Sequence, residues 1–229
     1  MIKETIIKKY INFDNDLNKF DEKLSLNIKG NNILIIGGAG TIGSSYIKQI
    51  LKYKPSKITV VDINENGLTE LTRDLRSSNL LDYNPEYITY PVNLLSETFN
   101  KIFNSDSWQV IANFSAHKHV RSEKDKISVE ALVKNNVYGA IKLLKLCELN
   151  PPKYFFSVST DKAANPVNIM GASKSLMEKL ILSKKEKFRV STARFANVAF
   201  SNGSLLDGFI FRLNKKQPLS CPSDIKRFF

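Results

Sequence analysis

Three adjacent residues with complementary chemistry, Thr160, Asp161 and Lys162, directly follow the apolar segment YFFSVS. A hydroxyl, a carboxylate and an ammonium in succession can supply a hydrogen-bond donor, an acid and a base at one place. Polar residues just beyond a parallel strand lie at the edge where open α/β sheets bind ligands. Lys174 stands one helical turn beyond Met170, so both side chains are expected on one helix face. The alternative is a charged loop that caps the next helix.

A glycine-rich turn, GGAGTIG, carries the motif G-x-x-G-x-x-G through Gly37, Gly40 and Gly43, and G-x-G-x-x-G in an overlapping register. Such glycines permit a tight turn, close approach of the backbone to a pyrophosphate, and helix-on-strand packing. The start of the following helix offers unpaired N–H groups to an anion. The motif therefore predicts a dinucleotide phosphate site that also includes Thr41 and Ile42.

An acidic residue, Asp62, ends the next predicted strand 19 residues after Gly43. A carboxylate at this position can accept hydrogen bonds from the adenosine ribose hydroxyls. It would repel a 2′-phosphate, and no Arg or Lys follows in the next four residues, INEN. We therefore expect NAD rather than NADP. The alternative is a structural turn with an unrelated capping aspartate.

Short β-branched runs alternate with helical segments from residue 31 onward. The predicted strands are 33–36, 58–62, 87–91, 110–114, 154–159 and 190–195. The predicted helices lie near 41–53, 65–77, 95–104, 127–149 and 170–187. This alternation is typical of a parallel sheet with right-handed crossovers. It predicts an α/β fold, a doubly wound parallel sheet of the Rossmann type over residues 31–200.

Residues 1–30 are polar and differ from the rest of the chain. Apolar residues recur there at loosely helical spacing, among them Leu17, Phe20, Leu24 and Leu26. This pattern predicts an amphipathic N-terminal helical extension that packs on the main domain or on a second subunit.

Composition limits the classes of function. The 229 residues carry a net charge of +12, but the basic residues are scattered and have no interleaved aromatics, so we expect no nucleic-acid partner. A basic surface could still attract a diphosphate substrate or an anionic membrane face. No apolar run is long enough to be a transmembrane segment, and Cys147 and Cys221 form no disulfide framework, so we expect a cytoplasmic protein. His117 and His119 have no nearby partner ligands, so we expect no metal and treat them as loop residues.

Five segments together carry a resemblance to a known family: GGAGTIGS, NFSAHKHV, NNVYGA, STDKAANPVNIMGASK and RFANVAFSNGS. The chain resembles the extended short-chain dehydrogenases/reductases of polysaccharide biosynthesis, in the branch of UDP-N-acetylglucosamine 4,6-dehydratase. The resemblance implies an NAD-dependent lyase acting on a UDP-sugar. Such an enzyme oxidises C4, eliminates water across C5–C6, and returns hydride to C6.

The resemblance also implies roles for the reactive residues. Thr160 would polarise the C4 oxygen, Asp161 would be the acid and Lys162 the base of the elimination. Lys174 would hold the nicotinamide ribose. Met170 stands where most members of the family have a catalytic tyrosine, and one subgroup of these dehydratases shares this methionine.

Further residues are assigned to binding by the same resemblance. The cofactor loop would contain Ser115, Ala116 and Lys118. Asn93 would lie against the adenine, although an ordinary loop residue is an equal alternative. Asn197 and Arg227 would contact the substrate phosphates.

The resemblance further implies that residues 201–229 begin a substrate-binding lobe that is truncated here. It also implies a homodimer or higher homo-oligomer, formed through the helices near 127–149 and 170–187. Two alternative functions are a UDP-sugar epimerase on the same scaffold and a non-catalytic NAD-binding protein. The Asp-Lys pair favours the dehydratase over the epimerase.

Overall fold

The structure is a computed structural model that describes residues 13–117 and 123–220. The predicted site residues Lys118 and Arg227 lie outside the described residues, as do His119 and Cys221.

Six parallel strands form one sheet. They are β1 (Asn32–Ile36), β2 (Lys57–Asp62), β3 (Glu86–Pro91), β4 (Val110–Asn113), β5 (Tyr154–Thr160) and β6 (Arg189–Phe195). Their spatial order is β3-β2-β1-β4-β5-β6, and every neighbouring pair is parallel. This is the strand order of a doubly wound Rossmann fold, in which the connection reverses direction between β1 and β4. The predicted fold class is confirmed.

Helices connect the strands and cover both faces of the sheet. In the described part of the chain they are α1 (Phe13–Asn18), α2 (Asp21–Ile28), α3 (Thr41–Leu51), α4 (Glu65–Ser77), α5 (Glu97–Asn104), α6 (Lys126–Val133), α7 (Gly139–Leu149), α8 (Ile169–Leu182) and α9 (Leu205–Asn214). None of these helices is long and apolar enough to span a membrane.

Each face of the sheet is covered by an apolar cluster, and the strand β1 contributes side chains to both clusters. Leu34 and Ile36 belong to the apolar cluster on one face of the sheet, whereas Ile33 and Ile35 belong to the cluster on the other. Alternate side chains of a strand point to opposite faces, so a strand covered on both faces must be apolar throughout. This requirement explains the unbroken apolar run before the glycine turn.

The predicted helix 127–149 is helical over its whole length, but one turn of it is not α-helical. A π-helical turn, Lys134–Tyr138, separates α6 from α7 and contains Asn135 and Asn136. Such wider turns often occur at functional sites. The apolar periodicity does not reveal this turn, because it continues on both sides. The predicted helix 170–187 ends earlier than predicted, at Leu182, where the chain turns back toward β6.

The N-terminal extension forms the two short helices α1 and α2. Ile28 is buried in the core beneath α3, and Leu24 packs against the same cluster. Phe20 and Leu26 are exposed, so the predicted amphipathic face is only partly covered. Asn27 accepts a hydrogen bond of 2.7 Å from the Tyr154 hydroxyl, which ties α2 to the start of β5.

Candidate active site

A cavity of about 560 Å³ opens at the carboxyl edge of the sheet. Its walls come from the glycine turn after β1, the ends of β2, β4, β5 and β6, and the start of α8. The point where strand order reverses, between β1 and β4, is where open α/β sheets bind their ligands. Nearly all of the predicted site residues within the described ranges line this cavity. Those that do so are Gly37, Gly40, Thr41, Ile42, Gly43, Asp62, Asn93, Ser115, Ala116, Thr160, Lys162, Met170, Lys174 and Asn197.

The glycine turn is shaped by close contacts that exclude any side chain. Gly37 has a φ of 77°, and a Cβ there would lie 2.5 Å from the backbone nitrogen of Ser115. A Cβ on Gly43 would lie 2.4 Å from the Gly37 carbonyl oxygen. A Cβ on Gly40 would meet only that same oxygen, at 3.5 Å. Gly37 and Gly43 therefore allow close backbone packing, and the missing side chain of Gly40 leaves room in the cavity.

The start of α3 is suited to an anion. The N-cap residue Gly40 supplies no side-chain hydrogen bond, and the first turn contains no acidic residue. The N–H groups of this turn therefore remain available to a negatively charged group, and the helix dipole favours it. This arrangement fits the diphosphate of a dinucleotide.

Asp62 and Asn93 lie at the far end of the same cavity. The two carboxylate oxygens of Asp62 accept hydrogen bonds of 2.9 Å from the backbone N–H groups of Ala39 and Asn64. These bonds fix the carboxylate beside the glycine turn and leave acceptor capacity for ribose hydroxyls. Asn93 accepts a hydrogen bond of 2.8 Å from the Leu95 backbone, so its side-chain oxygen already shapes the local turn.

A buried amide holds the loop after β4. Asn136 accepts a hydrogen bond of 2.9 Å from the His117 N–H and donates one of 3.1 Å to the His117 carbonyl. It also donates to the Ser173 hydroxyl on α8, at 3.1 Å. The π-helical turn therefore joins the loop to the helix that carries Met170 and Lys174. His117, which the sequence analysis treated as a loop residue, lines the cavity.

The Thr160-Asp161-Lys162 group lies where β5 ends. Asp161 Oδ1 accepts hydrogen bonds from the Thr160 hydroxyl at 2.8 Å and from Lys162 Nζ at 3.0 Å. Partial burial raises the pKa of Asp161, but these hydrogen bonds outweigh it and leave the pKa below the ordinary value. A carboxyl group acting as an acid needs a raised pKa, so the ion pair opposes the predicted role in this state. Thr160 and Lys162 line the cavity, whereas Asp161 is not part of its wall.

Met170 and Lys174 lie side by side on the buried face of α8, as predicted. The Lys174 ammonium donates a hydrogen bond of 3.1 Å to the Val158 carbonyl. Burial lowers the pKa of Lys174 to about 8, although the nearby Glu178 carboxylate acts in the opposite direction. The Met170 N–H donates to the Glu123 carboxylate at 2.7 Å.

The chain after β6 forms one rim of the cavity over residues 195–205. The backbone N–H of Asn202 donates a hydrogen bond of 3.0 Å to the Thr41 hydroxyl, so the rim touches the start of α3. In this segment the sequence predicted only Asn197 as a site residue. Wall residues that were not predicted, here and elsewhere, include Val158, Ser159, Phe195, Ala196, Val198, Ser201, Gly203 and Ser204. For the first five of these the signal is a position close to the end of a strand.

The fold and the cavity define a Rossmann-type nucleotide-binding protein. Residues 33–229 match the polysaccharide biosynthesis protein family. The chain belongs to that family, which confirms the predicted place among the extended short-chain dehydrogenases/reductases of polysaccharide biosynthesis.

Individual relatives agree with this assignment. The chain is 34% identical to the uncharacterized membrane protein MJ1061 of Methanocaldococcus jannaschii, over 87% of this chain and 59% of that protein. It is 31% identical to a UDP-N-acetylglucosamine 4,6-dehydratase (inverting) of Campylobacter jejuni, over 79% of this chain and 53% of the enzyme. It is 26% identical to a UDP-glucose 4-epimerase of Rickettsia bellii, over 82% of this chain and 55% of the enzyme. The chain thus spans a little over half the length of these relatives.

Among solved structures, Pen from Bacillus thuringiensis superimposes with a TM-score of 0.70 at 27% identity. The match covers 82% of this chain and 57% of that chain. This similarity agrees with the Rossmann topology of the sheet.

Proposed function

We propose that this protein is an NAD-dependent nucleotide-sugar 4,6-dehydratase acting on a UDP-N-acetylhexosamine in polysaccharide biosynthesis. The main observation behind the proposal is that Thr160, Lys162 and Met170 line the same cavity as the glycine turn. The site offers a dinucleotide cradle, a lysine base and a methionine where an oxidoreductase of this scaffold has a phenol.

The cofactor is assigned to the half of the cavity that faces β1 and β2. The diphosphate would bind the start of α3 at Thr41 and Ile42, and Asp62 would accept hydrogen bonds from the adenosine ribose. NAD bound there would supply the capacity to accept a hydride from C4 and return it to C6. The carboxylate of Asp62 disfavours the 2′-phosphate of NADP by charge repulsion.

The sugar is assigned to the half that faces β5 and β6. Thr160 would donate a hydrogen bond to the C4 oxygen, and the Asp161 carboxylate would accept the C4 hydroxyl proton as the hydride leaves. Lys162 would remove the C5 proton and later return it. Asp161 would pass the C4 proton to the departing C6 hydroxyl, which leaves as water. Asn197, and Arg227 outside the described residues, would contact the diphosphate of the sugar nucleotide.

These roles require the Asp161–Lys162 ion pair to open when substrate binds. The two side chains are 48% and 41% exposed, and an ion pair with that exposure contributes no more than about 1 kcal/mol. Substrate contacts can therefore separate the pair at small cost. Exclusion of water would then favour the protonated Asp161 carboxyl that the elimination needs.

A UDP-sugar epimerase is the second candidate, since an epimerase is among the relatives. Met170 argues against it. An epimerase returns hydride to C4, so it needs a group that both takes and returns the C4 hydroxyl proton, and a thioether cannot do this. The dehydratase keeps the 4-ketone and never returns that proton. A non-catalytic NAD-binding protein is the third candidate and would leave the sugar unchanged.

The test is the mass of the nucleotide sugar after incubation with UDP-N-acetylglucosamine and NAD⁺. We expect loss of one water with the unaltered protein, and no loss with Lys162→Ala or Asp161→Asn. Both variants should still bind NADH with unchanged affinity.

The exposed adjacent pair Lys185–Glu186 provides a matched control, because it has the same charges and lies outside the cavity. Lys185→Ala and Glu186→Gln should retain full activity. A Lys162→Ala variant that still releases water would refute the assignment of the base.

A further inference from the structure

Two charged residues outside the cavity form a double hydrogen bond at its edge. Arg194, in β6, donates from Nη2 to Glu178 Oε2 at 2.7 Å and from Nε to Glu178 Oε1 at 3.0 Å. The Glu178 side chain is only 6% exposed, whereas that of Arg194 is 47% exposed. Neither residue lines the cavity.

The location of this pair links two parts of the site. Glu178 lies one helical turn beyond Lys174 on α8, so its backbone is fixed relative to the cavity wall. Arg194 is followed immediately by residues 195–205, the cavity rim. The pair therefore joins the helix that carries Lys174 to the start of the rim.

The rim has a second attachment at its other end. The Asn202 backbone bonds to the Thr41 hydroxyl, and the Ser204 side chain caps α9 through the Asp207 N–H. Between the two attachments the chain runs along the sheet edge, and residues 195–197 are exposed. Because this exposed stretch buries little surface, the residues that flank it contribute to fixing its position.

The pair is poorly explained by stability alone. The buried Glu178 carboxylate loses its hydration, which offsets part of the gain from its ion pair with the half-exposed Arg194. The fork of a guanidinium does, however, fix both distance and orientation. The Arg194 guanidinium also holds the pKa of Glu178 below its ordinary value, so the carboxylate stays charged across the neutral range.

We propose that Glu178 and Arg194 are positioning residues that fix the rim 195–205 over the glycine turn. The inference deepens the proposed function, because it takes the cavity to be the cofactor site. The ion pair fixes the direction in which the chain leaves β6. That direction places Asn197 and the Asn202–Thr41 contact beside the start of α3.

The test is amide hydrogen exchange of the protein without ligand, together with NADH titration by fluorescence. In Glu178→Gln we expect exchange in residues 196–204 to be on the order of tenfold faster, because charged hydrogen bonds are lost. Exchange in β1 and β4 should not change, and NADH should bind several-fold more weakly. Glu148→Gln is the matched control, because it breaks an ion pair with Lys184 away from the cavity.

Arg194→Lys separates positioning from a direct effect of the Glu178 charge on Lys174. This variant keeps the carboxylate and the positive charge but loses the fork. We expect an intermediate rise in rim exchange and in the NADH dissociation constant. It also serves as the test if Glu178→Gln does not fold.

Two results would overturn the proposal. One is rim exchange no faster than in Glu148→Gln, and the other is faster exchange spread evenly over the whole sheet. Neither depends on catalysis. A protein that shows the rim effect but no water loss would contradict the proposed function and leave the positioning role intact.

Discussion

The buried lysine of the site should reduce the stability of the folded protein near neutral pH. Lys174 is 3% exposed, and within residues 13–117 and 123–220 its ammonium has two hydrogen-bond partners, the Val158 carbonyl and the Met177 sulfur. Burial lowers the pKa of Lys174 from 10.5 to about 8. A difference of about 2.5 pH units, at about 1.36 kcal/mol each, corresponds to about 3 kcal/mol of destabilisation.

The sign of the pH dependence follows from proton binding. Between the folded pKa near 8 and the unfolded value of 10.5, the unfolded chain keeps the proton that the folded protein has released. The free energy of unfolding therefore rises with pH across this window. Below the folded pKa both states are protonated, and the penalty is present in full.

The assay is urea unfolding of the ligand-free protein and of Lys174→Met, at several pH values. The methionine should be more stable near pH 7, and the difference in unfolding free energy should shrink by about 2 kcal/mol toward pH 9.5. Subtracting the unfolding free energies of the two proteins at each pH cancels the contribution of the other titrating lysines. Lost hydrogen bonds add only a constant offset. A difference that stays the same from neutral to alkaline pH would refute the reasoning.

Three other substitutions test the geometry of the site. Gly37→Ala should destabilise the protein by about 2–4 kcal/mol in urea unfolding, because φ is 77° and the Cβ meets the Ser115 backbone. Asn136→Ala should lower the free energy of unfolding by about 2–3 kcal/mol, because it removes the hydrogen bonds to His117. It should also speed amide exchange at residues 114–117. Unchanged exchange in this variant would show that the Asn136 amide does not hold the loop. Asp62→Ser should shift relative affinity from NADH toward NADPH by about tenfold or more, measured by paired titrations, and an unchanged ratio would argue against Asp62 as the selector.

Much of the fold could be predicted from the sequence, because the central strands are short, unbroken apolar runs that alternate with helical segments. All six strands lie within a residue or so of their predicted bounds, and the fully apolar β1 indicates burial on both faces. The helix α4 matches its predicted range of 65–77. The glycine turn could be predicted because close contacts at Gly37 and Gly43 restrict the residue type itself.

The remaining features depend on long-range contacts that leave no local pattern. The π-helical turn contains Asn136, whose partners His117 and Ser173 lie far away in the sequence. The Asp161–Lys162 ion pair depends on side-chain orientations that spacing does not specify. The joining of Glu178 to Arg194 likewise depends on how α8 crosses β6.

Several predictions stay open. The division into an extension, a Rossmann domain and a substrate lobe is one of them, and so are the homodimer and the cytoplasmic location. The name of the archaeal relative makes the location worth testing by fractionation. Full-length activity also stays a proposal, because the chain spans little more than half of its relatives.

The most direct test of the dehydratase assignment is to run the reaction with UDP-N-acetylglucosamine and NAD⁺ in D₂O. Lys162, acting as the base at C5, would exchange the abstracted proton with solvent before C5 is protonated again. We expect a nucleotide sugar that has lost one water and gained one deuterium at C5. A product of unchanged mass without deuterium, with C4 inverted, would contradict the account and identify an epimerase.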